Sequence, residues 1–271
     1  MPWPTRGLRD GVLTTGWPRR PDDYADGFAA AVTVRRHVPP TATAARHLAD
    51  AIAACPTGAI SGGHGAPARV DRGRCILCGR CVALAPETFA WARGPDAATL
   101  DRAALVVPTV AEDDRTLRLL RAGLRRRVRR LRRSVHIRHV DTGSDGSDEW
   151  EVQALLNPVY DMNRLGIFLT ASPRHADILL VTGIGGDAIS AALTRTRQAM
   201  PDPVVVIAAG ADAISGGLFS GGYAAAGGAA AQLTVDVWVP GSPASPFGLL
   251  YGILLGLGRV PDPAPSRRGV R

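Results

Sequence analysis

The residues of this sequence best suited to metal chemistry are its four cysteines, which fall into one compact pattern. Cys55 is followed by a proline, and twenty residues later the chain reads Cys75-x-x-Cys78-x-x-Cys81. Thiolates are soft ligands, so such a set could hold zinc or an iron–sulfur cluster. Structural zinc sites favour two separated Cys-x-x-Cys pairs, so the spacing favours the cluster. The short spacing, the chain length and the lack of a recognisable signal peptide argue against disulfides.

This spacing resembles half of the ligand pattern of a two-cluster bacterial ferredoxin. In those proteins each Cys-x-x-Cys-x-x-Cys run supplies three thiolates to one cluster, and the trailing Cys-Pro supplies the fourth thiolate to the other cluster. The resemblance therefore groups all four cysteines on one [4Fe–4S] cluster. The ligands of the second cluster are replaced together, because the corresponding positions hold Ala45, Leu48, Ala51 and Ala85.

Composition limits the classes to which the protein can belong. The chain has 271 residues, of which 46% are hydrophobic, so it can bury a sizeable core and form about two domains. No apolar run approaches the ~20 residues that cross a bilayer, so we expect no membrane span. The formal net charge of +8 comes from arginine alone, because the sequence contains no lysine. No aromatic residue interleaves the densest arginine run, so we expect no nucleic-acid partner.

The elements that must position the cysteines follow from periodicity and turn signals. We predict an extended arm over residues 1–28, a ferredoxin-like α+β domain over 29–110, an arginine-rich linker helix over 111–134, an α/β domain over 135–262 and a tail over 263–271. A helix from Thr43, the expected N-cap, to Ala54 would lead into the Cys55 turn. The linker helix would dock by its leucine face. Contact of its arginines with an acidic partner subunit or with anionic lipid is the alternative.

Apolar strands alternate with helices in the C-terminal part of the chain. Strands are predicted over 135–140, 166–170, 178–182, 204–209 and 235–239, and helices over 152–163, 187–200 and 246–257. Strands that alternate with helices indicate a mainly parallel sheet covered on both faces. The predicted fold class is therefore α/β, with a small α+β domain before a parallel-sheet domain.

Four long motifs in this C-terminal part resemble a known family. They read HIRHVDTGS over 136–144, NPVYDMNRLG over 157–166, ASPRHADILLVTG over 171–183 and VPGSP over 239–243. The part is similar to the B-type, 20 kDa subunit of respiratory complex I and to its counterparts in membrane-bound [NiFe] hydrogenases and formate hydrogenlyase, which implies a flavodoxin-like fold. The N-terminal part, including the arm sequence GVLTT over 11–15, resembles the two-cluster ferredoxin subunit of the same complexes. The chain thus resembles two neighbouring subunits fused.

The sequence departs from this family at the cluster that the B-type domain would hold. The B-type domain of the family holds a [4Fe–4S] cluster by four cysteines, and the matching positions here are Asp145, Asp148, Asp212 and Ser242. Without thiolates this cluster is predicted to be absent. Three interpretations remain for the site: a vacated cluster site whose loops are kept for packing, an oxygen-ligand site for Mg²⁺, Ca²⁺ or Mn²⁺, or a proton-transfer site with a raised carboxyl pKa.

The resemblance implies an iron–sulfur electron-transfer subunit of a hydrogenase- or complex I-like oxidoreductase, without a substrate site of its own. The alternative is a structural or assembly subunit of such a complex. Its expected partners are a large catalytic-type subunit and membrane subunits. We accordingly expect a cytoplasmic protein, held at the cytoplasmic face of the membrane through those partners.

Overall fold

The computed structural model describes residues 3–37, 41–63, 65–108, 114–131 and 134–260. The first part of the chain forms α1 (Trp3–Asp10), α2 (Asp23–Gly27), β1 (Ala29–Val34), α3 (Ala42–Ala53), β2 (Ile60–Gly63), β3 (Ala66–Asp71), α4 (Arg80–Leu84), β4 (Phe89–Arg93), β5 (Val106–Val107) and α5 (Asp114–Arg127). The second part forms β6 (Val135–Asp141), α6 (Ser147–Ala154), β7 (Ile167–Leu169), β8 (Ile178–Thr182), α7 (Asp187–Ala199), β9 (Val205–Ala209), α8 (Gly210–Ser215), β10 (Val237–Val239) and α9 (Pro246–Gly256).

Residues 29–108, here called the ferredoxin-like half, contain two β-α-β units. The first unit is β1-α3-β2 and the second is β3-α4-β4. β1 pairs antiparallel with β4, and β3 lies between β2 and β5 in a second antiparallel sheet. The core between them includes Val32, Val70 and Phe89, which are all buried. This arrangement confirms the predicted ferredoxin-like α+β architecture.

Three of the four positions where the second ferredoxin cluster would have its ligands now help to fill this core. Ala51 and Ala85 are buried, and Leu48 is partly buried against the same cluster of side chains. Ala45 is exposed. Small and apolar side chains here close the volume, because protein interiors tolerate few voids.

The helix before Cys55 begins earlier than predicted. We expected Thr43 as its N-cap, but the N-cap is Thr41, whose side chain accepts a hydrogen bond from Ala44 N at 3.1 Å. An N-cap hydroxyl reaches the N–H two or three residues onward, and Thr41 rather than Thr43 has the extended backbone that permits this. The end of the helix, at Ala53, agrees with the prediction.

Residues 134–260, here called the sheet half, are built on a five-stranded parallel sheet of order β10-β9-β8-β6-β7. β8 and β9 are buried along their whole length, as expected of central strands with helices on both faces. α9 is also buried from end to end, which explains its uninterrupted apolar sequence. The α/β class and each of the five predicted strands are confirmed, with β8 matching its predicted bounds.

One predicted helix of the sheet half is wrong. We expected a helix over 152–163, but α6 spans Ser147–Ala154 and a 3₁₀ turn spans Met162–Leu165. Between them lies Asn157-Pro158, where the proline disfavours helical backbone in the preceding residue. Asn157 Oδ1 accepts a hydrogen bond from Val159 N at 3.0 Å and so holds a turn instead.

The N-terminal arm is not simply extended, contrary to the prediction. It contains α1 and α2, and Asp22 caps α2 by accepting hydrogen bonds from Tyr24 N and Ala25 N. Between the two helices the arm lies on the sheet half, where Thr15 N donates to Val159 O at 2.9 Å and Trp17 is buried. Short-range capping thus adds local helix to a segment whose glycines and prolines suggested none.

The two halves pack against each other. Thr99 forms an antiparallel bridge with Trp238 of β10, and Leu105 lies in the same buried cluster as Leu179 of β8. α5, which follows the ferredoxin-like half, docks through Leu124, and the 3₁₀ turn after it docks through Val128, both buried. The predicted leucine face is buried only in this last part, because Leu120 is exposed. Residues 111–113, 132 and 133 of the predicted linker helix lie outside the described residues, as does the predicted tail over 263–271. None of the described helices is long and apolar enough to cross a membrane.

Candidate iron–sulfur site

Cys55 lies in a tight turn directly after α3. Its N–H donates to Ile52 O at 3.2 Å, and its carbonyl accepts from Gly58 N at 3.3 Å. The turn closes because Gly58 adopts a φ of 60°. The backbone N–H of Ala59 points at the Cys55 sulfur, with the nitrogen 3.3 Å from Sγ. An N–H donor on the sulfur stabilises negative charge there, as hydrogen bonds to cluster sulfurs do.

The other three cysteines follow β3 in a loop that ends in α4. Within this loop Leu77 has a φ of 55° and Gly79 a φ of 74°. A left-handed conformation is costly for leucine, so the surrounding contacts must hold it there. Leu77 and Gly79, with their left-handed backbone, reverse the direction of the loop. As a result Cys81, in α4, is buried, whereas Cys78, at the outer bend, is exposed.

All four cysteines, here called the thiol site, line one cavity. Its remaining walls are largely apolar and come from both β-α-β units. They are Val32, Pro56, Thr57, Ala59, Ile60, Val70, Ile76, Gly79 and Arg80. The structure therefore brings together the four cysteines that the sequence grouped, although Cys55 is twenty residues from the next.

The thiols of this site influence one another. Burial raises the pKa of the Cys75 thiol to about 11; the N–H of Leu77 opposes this rise, and the charges of the other three sulfurs add to it. Burial likewise raises the pKa of Cys81, and Cys78 and Cys55 add to that rise. These thiols therefore keep their protons at neutral pH, and a metal centre that they ligate would have to displace those protons.

The donor set fits an iron–sulfur cluster better than a single ion. Among the described residues, no group of three or more His, Cys, Asp or Glu side chains is arranged to hold one metal ion. A zinc ion would need its sulfurs about 2.3 Å from one point. A [4Fe–4S] cluster instead takes thiolates at several irons, so its sulfur ligands stand further apart around a larger volume. The four cysteines line one cavity, which such a ligand set would surround.

The second group of predicted residues, here called the carboxylate pocket, lies at the carboxyl edge of the parallel sheet. Asp145 and Asp148 follow β6, Asp212 follows β9 and Ser242 follows β10. Asp148 is buried, and its Oδ1 accepts a hydrogen bond from Ala244 N at 3.0 Å, two residues beyond Ser242. The loop of Ser242 also contacts α8, because Ala211 N donates to Gly241 O at 2.6 Å.

Glycines leave the room that these carboxylates occupy. A Cβ on Gly210 would lie 2.2 Å from Asp148 Oδ2, and a Cβ on Gly217 would overlap Asp212 Oδ1. Both glycines have positive φ angles, of 89° and 52°. The backbone of α8 and its flanks is therefore shaped around two aspartate side chains.

Two of the three carboxyls of the pocket, Asp148 and Asp212, have raised pKa values. Burial raises the pKa of Asp148 to about 7; the Ala244 N–H opposes the shift, and Asp212, Glu149 and Asp145 add to it. Burial also raises the pKa of Asp212, with Asp145 and Glu149 adding to the rise. Such a shift is what the proton-site interpretation required. In the part of the chain that the structure describes, these residues do not form a metal-binding group, so we propose no cation here.

Sequence reasoning missed a polar network beside the pocket. Glu149 accepts hydrogen bonds from Ser144 Oγ at 2.5 Å and from the Thr182 hydroxyl. His139 Nε2 lies 3.0 Å from Thr182 Oγ1 and 3.7 Å from Glu149 Oε1. Burial lowers the pKa of His139, although Glu149 opposes that shift. The available signal was that Ser144 follows β6 and Thr182 ends β8, two neighbouring parallel strands whose ends meet at one edge.

The thiol site and the carboxylate pocket are connected through the start of the cysteine loop. A Cβ on Gly73 would lie 2.8 Å from Ile214 of α8, the helix that carries Asp212. Asp71 holds the loop from the other side. It accepts from Gly73 N at 2.9 Å, and its two carboxylate oxygens accept from Arg102 at 2.8 and 2.7 Å.

Comparison with known proteins places the sheet half in a family. The sequence profile described as "NADH ubiquinone oxidoreductase, 20 Kd subunit" matches residues 146–255. A probable membrane-bound hydrogenase subunit of Pyrococcus furiosus is 38% identical over 128 residues, which cover 47% of this chain and 77% of that protein. The chain belongs to this family. The profile covers α6 to α9 and so includes three of the four residues of the carboxylate pocket.

Two further relatives extend this result. Formate hydrogenlyase subunit 7 of Escherichia coli is 38% identical over 161 residues, 59% of this chain and 62% of that protein. The B-type NADH-quinone oxidoreductase subunit of Rubrobacter xylanophilus is 44% identical over 95 residues, 35% of this chain and 38% of that protein. The chain thus spans less than two thirds of these two relatives. The family resemblance read from the C-terminal motifs is confirmed.

A solved structure is also similar to this 20 kDa-subunit family member. It is that of the membrane-bound sulfane sulfur reductase, described as an archaeal respiratory membrane complex. The matched chain has 28% sequence identity and a TM-score of 0.43, covering 49% of this chain and 74% of that one.

Proposed function

We propose that this protein is an iron–sulfur electron-transfer subunit of a hydrogenase- or complex I-like multisubunit oxidoreductase, and that its thiol site holds one [4Fe–4S] cluster. The observation that carries the proposal is the convergence of Cys55, Cys75, Cys78 and Cys81 on one cavity. Membership of the 20 kDa-subunit family supports the type of complex. A bound cluster would supply reversible one-electron transfer.

The residues of the chain would have distinct tasks at this site. The four cysteines would ligate the cluster, and the Ala59 N–H would stabilise charge on the Cys55 sulfur. Val32, Ile60 and Val70 would limit water at the inner wall, whereas exposed Cys78 marks the side open to a donor or acceptor. The chain would need no substrate site of its own.

The organisation and partners of the chain belong to the same proposal. We divide it into an arm (1–28), a ferredoxin-like domain (29–110), a linker (111–134), a B-type domain (135–262) and a tail (263–271). Its partners would be a large catalytic-type subunit and membrane subunits, which would hold it at the cytoplasmic face of the membrane. The names of the relatives, which are hydrogenase, formate hydrogenlyase and quinone oxidoreductase subunits, support this assignment.

The second candidate function is that of a structural or assembly subunit. The carboxylate pocket favours it, because the resemblance puts cluster thiolates where Asp145, Asp148, Asp212 and Ser242 stand. An electron arriving at the thiol site would then find no second cluster at that pocket. In this case the cluster would stabilise the fold without changing its oxidation state.

Metal and sulfide analysis of anaerobically purified protein tests both candidates. We expect about four irons and four sulfides per chain, and an EPR signal that appears on reduction with dithionite. Cys78→Ser should remove the signal. Thr57→Ala is the matched control, because Thr57 lines the same cavity without supplying a thiolate, and it should keep the full iron content.

The outcomes separate the alternatives. Four irons that dithionite fails to reduce would favour the structural subunit. Zinc without sulfide would overturn the cluster assignment, and so would an unchanged iron content in Cys78→Ser.

A further inference from the structure

The first residues of the arm expose an unusual amount of apolar surface. Trp3 is 86% exposed, Leu8 85%, Val12 91% and Leu13 63%. α1 itself buries none of its residues. Single exposed apolar side chains are normal, but four large ones within eleven residues indicate an interaction segment.

This apolar segment is held in place at its base. Thr14 Oγ1 donates to Pro158 O at 2.8 Å, Thr15 N donates to Val159 O, and Trp17 is buried against Phe247. The chain therefore leaves the sheet half at a defined point. Residues 3–13 project from it rather than covering its core.

α1 has two chemically different sides. At about 3.6 residues per turn, Trp3, Gly7 and Leu8 fall on one side together with a proline, and Arg6 and Arg9 fall on the other. Asp10 on the polar side pairs with Arg6 at 3.5 Å. A tryptophan and a leucine opposite arginines are the composition of helices that lie in the interface of a membrane.

We infer that residues 3–13 form a membrane-surface anchor, in which Trp3, Leu8, Val12 and Leu13 enter the headgroup region of an anionic bilayer. Arg6 and Arg9 then face the lipid phosphates. Charge complementarity favours lipid over another protein: the chain carries a net charge of +8, and Arg19 and Arg20, both exposed, lie six and seven residues after the segment. Basic residues near a membrane surface are attracted to anionic lipid, and tryptophan is enriched at that depth. This anchor is independent of the cluster and of partner subunits.

Co-sedimentation of the purified full chain with vesicles tests the anchor. We expect binding to vesicles of phosphatidylglycerol and phosphatidylcholine, weak binding to phosphatidylcholine alone, and release by salt. Trp3→Ser combined with Leu8→Ser should weaken binding roughly ten-fold or more. Arg6→Gln and Arg9→Gln should each weaken it roughly five-fold. None of these side chains is buried, so unfolding temperatures should be unchanged.

Two control variants locate the effect. Trp150→Ser combined with Leu218→Ser removes comparable exposed apolar surface from the sheet half and should leave vesicle binding intact. Arg118→Gln combined with Arg126→Gln lowers the charge of α5 and should have a smaller effect than the α1 arginines.

Several results would overturn the anchor. They are an absence of vesicle binding, equal loss in the sheet-half control, and binding that depends on the α5 arginines but not on Trp3 and Leu8. A dimer in solution that dissociates in the Trp3→Ser, Leu8→Ser variant would instead assign the segment to a second copy of the chain. Iron content measured on the same preparations shows whether the thiol site is intact in each case.

Discussion

The thiol site and the carboxylate pocket are two loop-built sites that differ in their donor atoms. In the thiol site four sulfurs surround an apolar-walled cavity, and two left-handed residues hold the loop open around it. In the carboxylate pocket Gly210 of α8 and Gly217, two residues after α8, approach two aspartates so closely that no added Cβ would fit. The thiol site thus encloses a cavity, whereas the carboxylate pocket is filled by its own side chains.

This difference shows what decides whether such a site can hold a soft metal centre. In the carboxylate pocket, loops after parallel strands bring the residues together, because the strand ends meet at one edge. In the thiol site, the turn after α3 and the loop between β3 and α4 do so. A carboxyl group that is buried at the edge of the sheet, such as Asp148, keeps its proton up to a higher pH, because burial raises its pKa. Buried thiols also keep their protons, but they are soft ligands, and an iron–sulfur cluster that displaced the protons would give the thiolates a positive partner.

The largest effect should come from removing a buried thiolate. Cys81→Ser should reduce the iron content from about four per chain to nearly none and lower the free energy of unfolding by several kcal/mol, because cluster binding contributes to folding. Iron and sulfide assays with thermal unfolding measure both. Asp212→Ser, the matched change in the carboxylate pocket, should leave the iron content unchanged. Iron lost from Asp212→Ser would mean that the two sites are not distinct.

Asp148 should make stability depend on pH. Its pKa is about 7 in the folded chain and 3.8 as the ordinary value, so between these values the folded state keeps a proton that the unfolded state releases. Stability therefore falls as pH rises from about 4 to 7. Asp148→Asn stays neutral and should be more stable than the wild type at pH 8, on the order of 2–4 kcal/mol. Urea unfolding across this pH range measures it.

Asp145, in the same pocket, should change stability with pH in the opposite direction to Asp148. The Ser147 hydroxyl, which hydrogen-bonds to the Asp145 carboxylate, lowers its pKa, with the Ser147 N–H adding to this effect. The ionised Asp145 side chain therefore stabilises the folded state above its ordinary pKa, and this contribution is lost as the pH falls through the lowered pKa. Asp145→Asn should remove stability at neutral pH rather than add it. Parallel pH profiles for the two variants would contradict the distinction.

A smaller effect should follow from filling the space that Asp148 uses. Gly210→Ala should cost about 2–3 kcal/mol, because its φ is 89° and its Cβ would meet the Asp148 carboxylate. Gly221→Ala is the control for backbone strain alone, since its φ is 86° and its Cβ would meet nothing within 4 Å. Chemical unfolding compares them. Equal losses in the two variants would show that the close approach to Asp148 contributes nothing.

The smallest effect concerns the ion pair beside the cysteine loop. Asp71→Asn should cost about 1–2 kcal/mol and speed the loss of iron to a chelator, because it weakens the paired hydrogen bonds from Arg102. Asp202→Asn breaks an ion pair with Arg197 in which the aspartate is 81% exposed, so it should change stability by less than about 0.5 kcal/mol. A chelation rate that Asp71→Asn leaves unchanged would separate this ion pair from the thiol site.

Much of the fold could be predicted because local and tertiary preferences agree. β8 and β9 are apolar runs bounded by turn residues, and they occur as predicted. α7 and α9 likewise begin at the predicted residues, Asp187 and Pro246. The helix wrongly predicted around Asn157 shows the limit of this prediction. The apolar pattern continues past residue 154, but the chain forms a turn at Asn157-Pro158. Thr41 shows another limit. Thr41 and Thr43 are equally good N-cap residues by type, and only the backbone conformation shows that Thr41 is the N-cap.

By itself, the sequence determined which residues belong together: four cysteines by their spacing, and three aspartates with a serine by their place in the family motifs. Only the tertiary structure decided how each group behaves. Burial, which raises the pKa of both Cys75 and Asp148, depends on neighbours that are distant in the chain. The same holds for the arm, where contacts with residues 158 and 159 place the exposed apolar segment. Spacing is a local property, whereas desolvation and exposure are set by everything packed around a side chain.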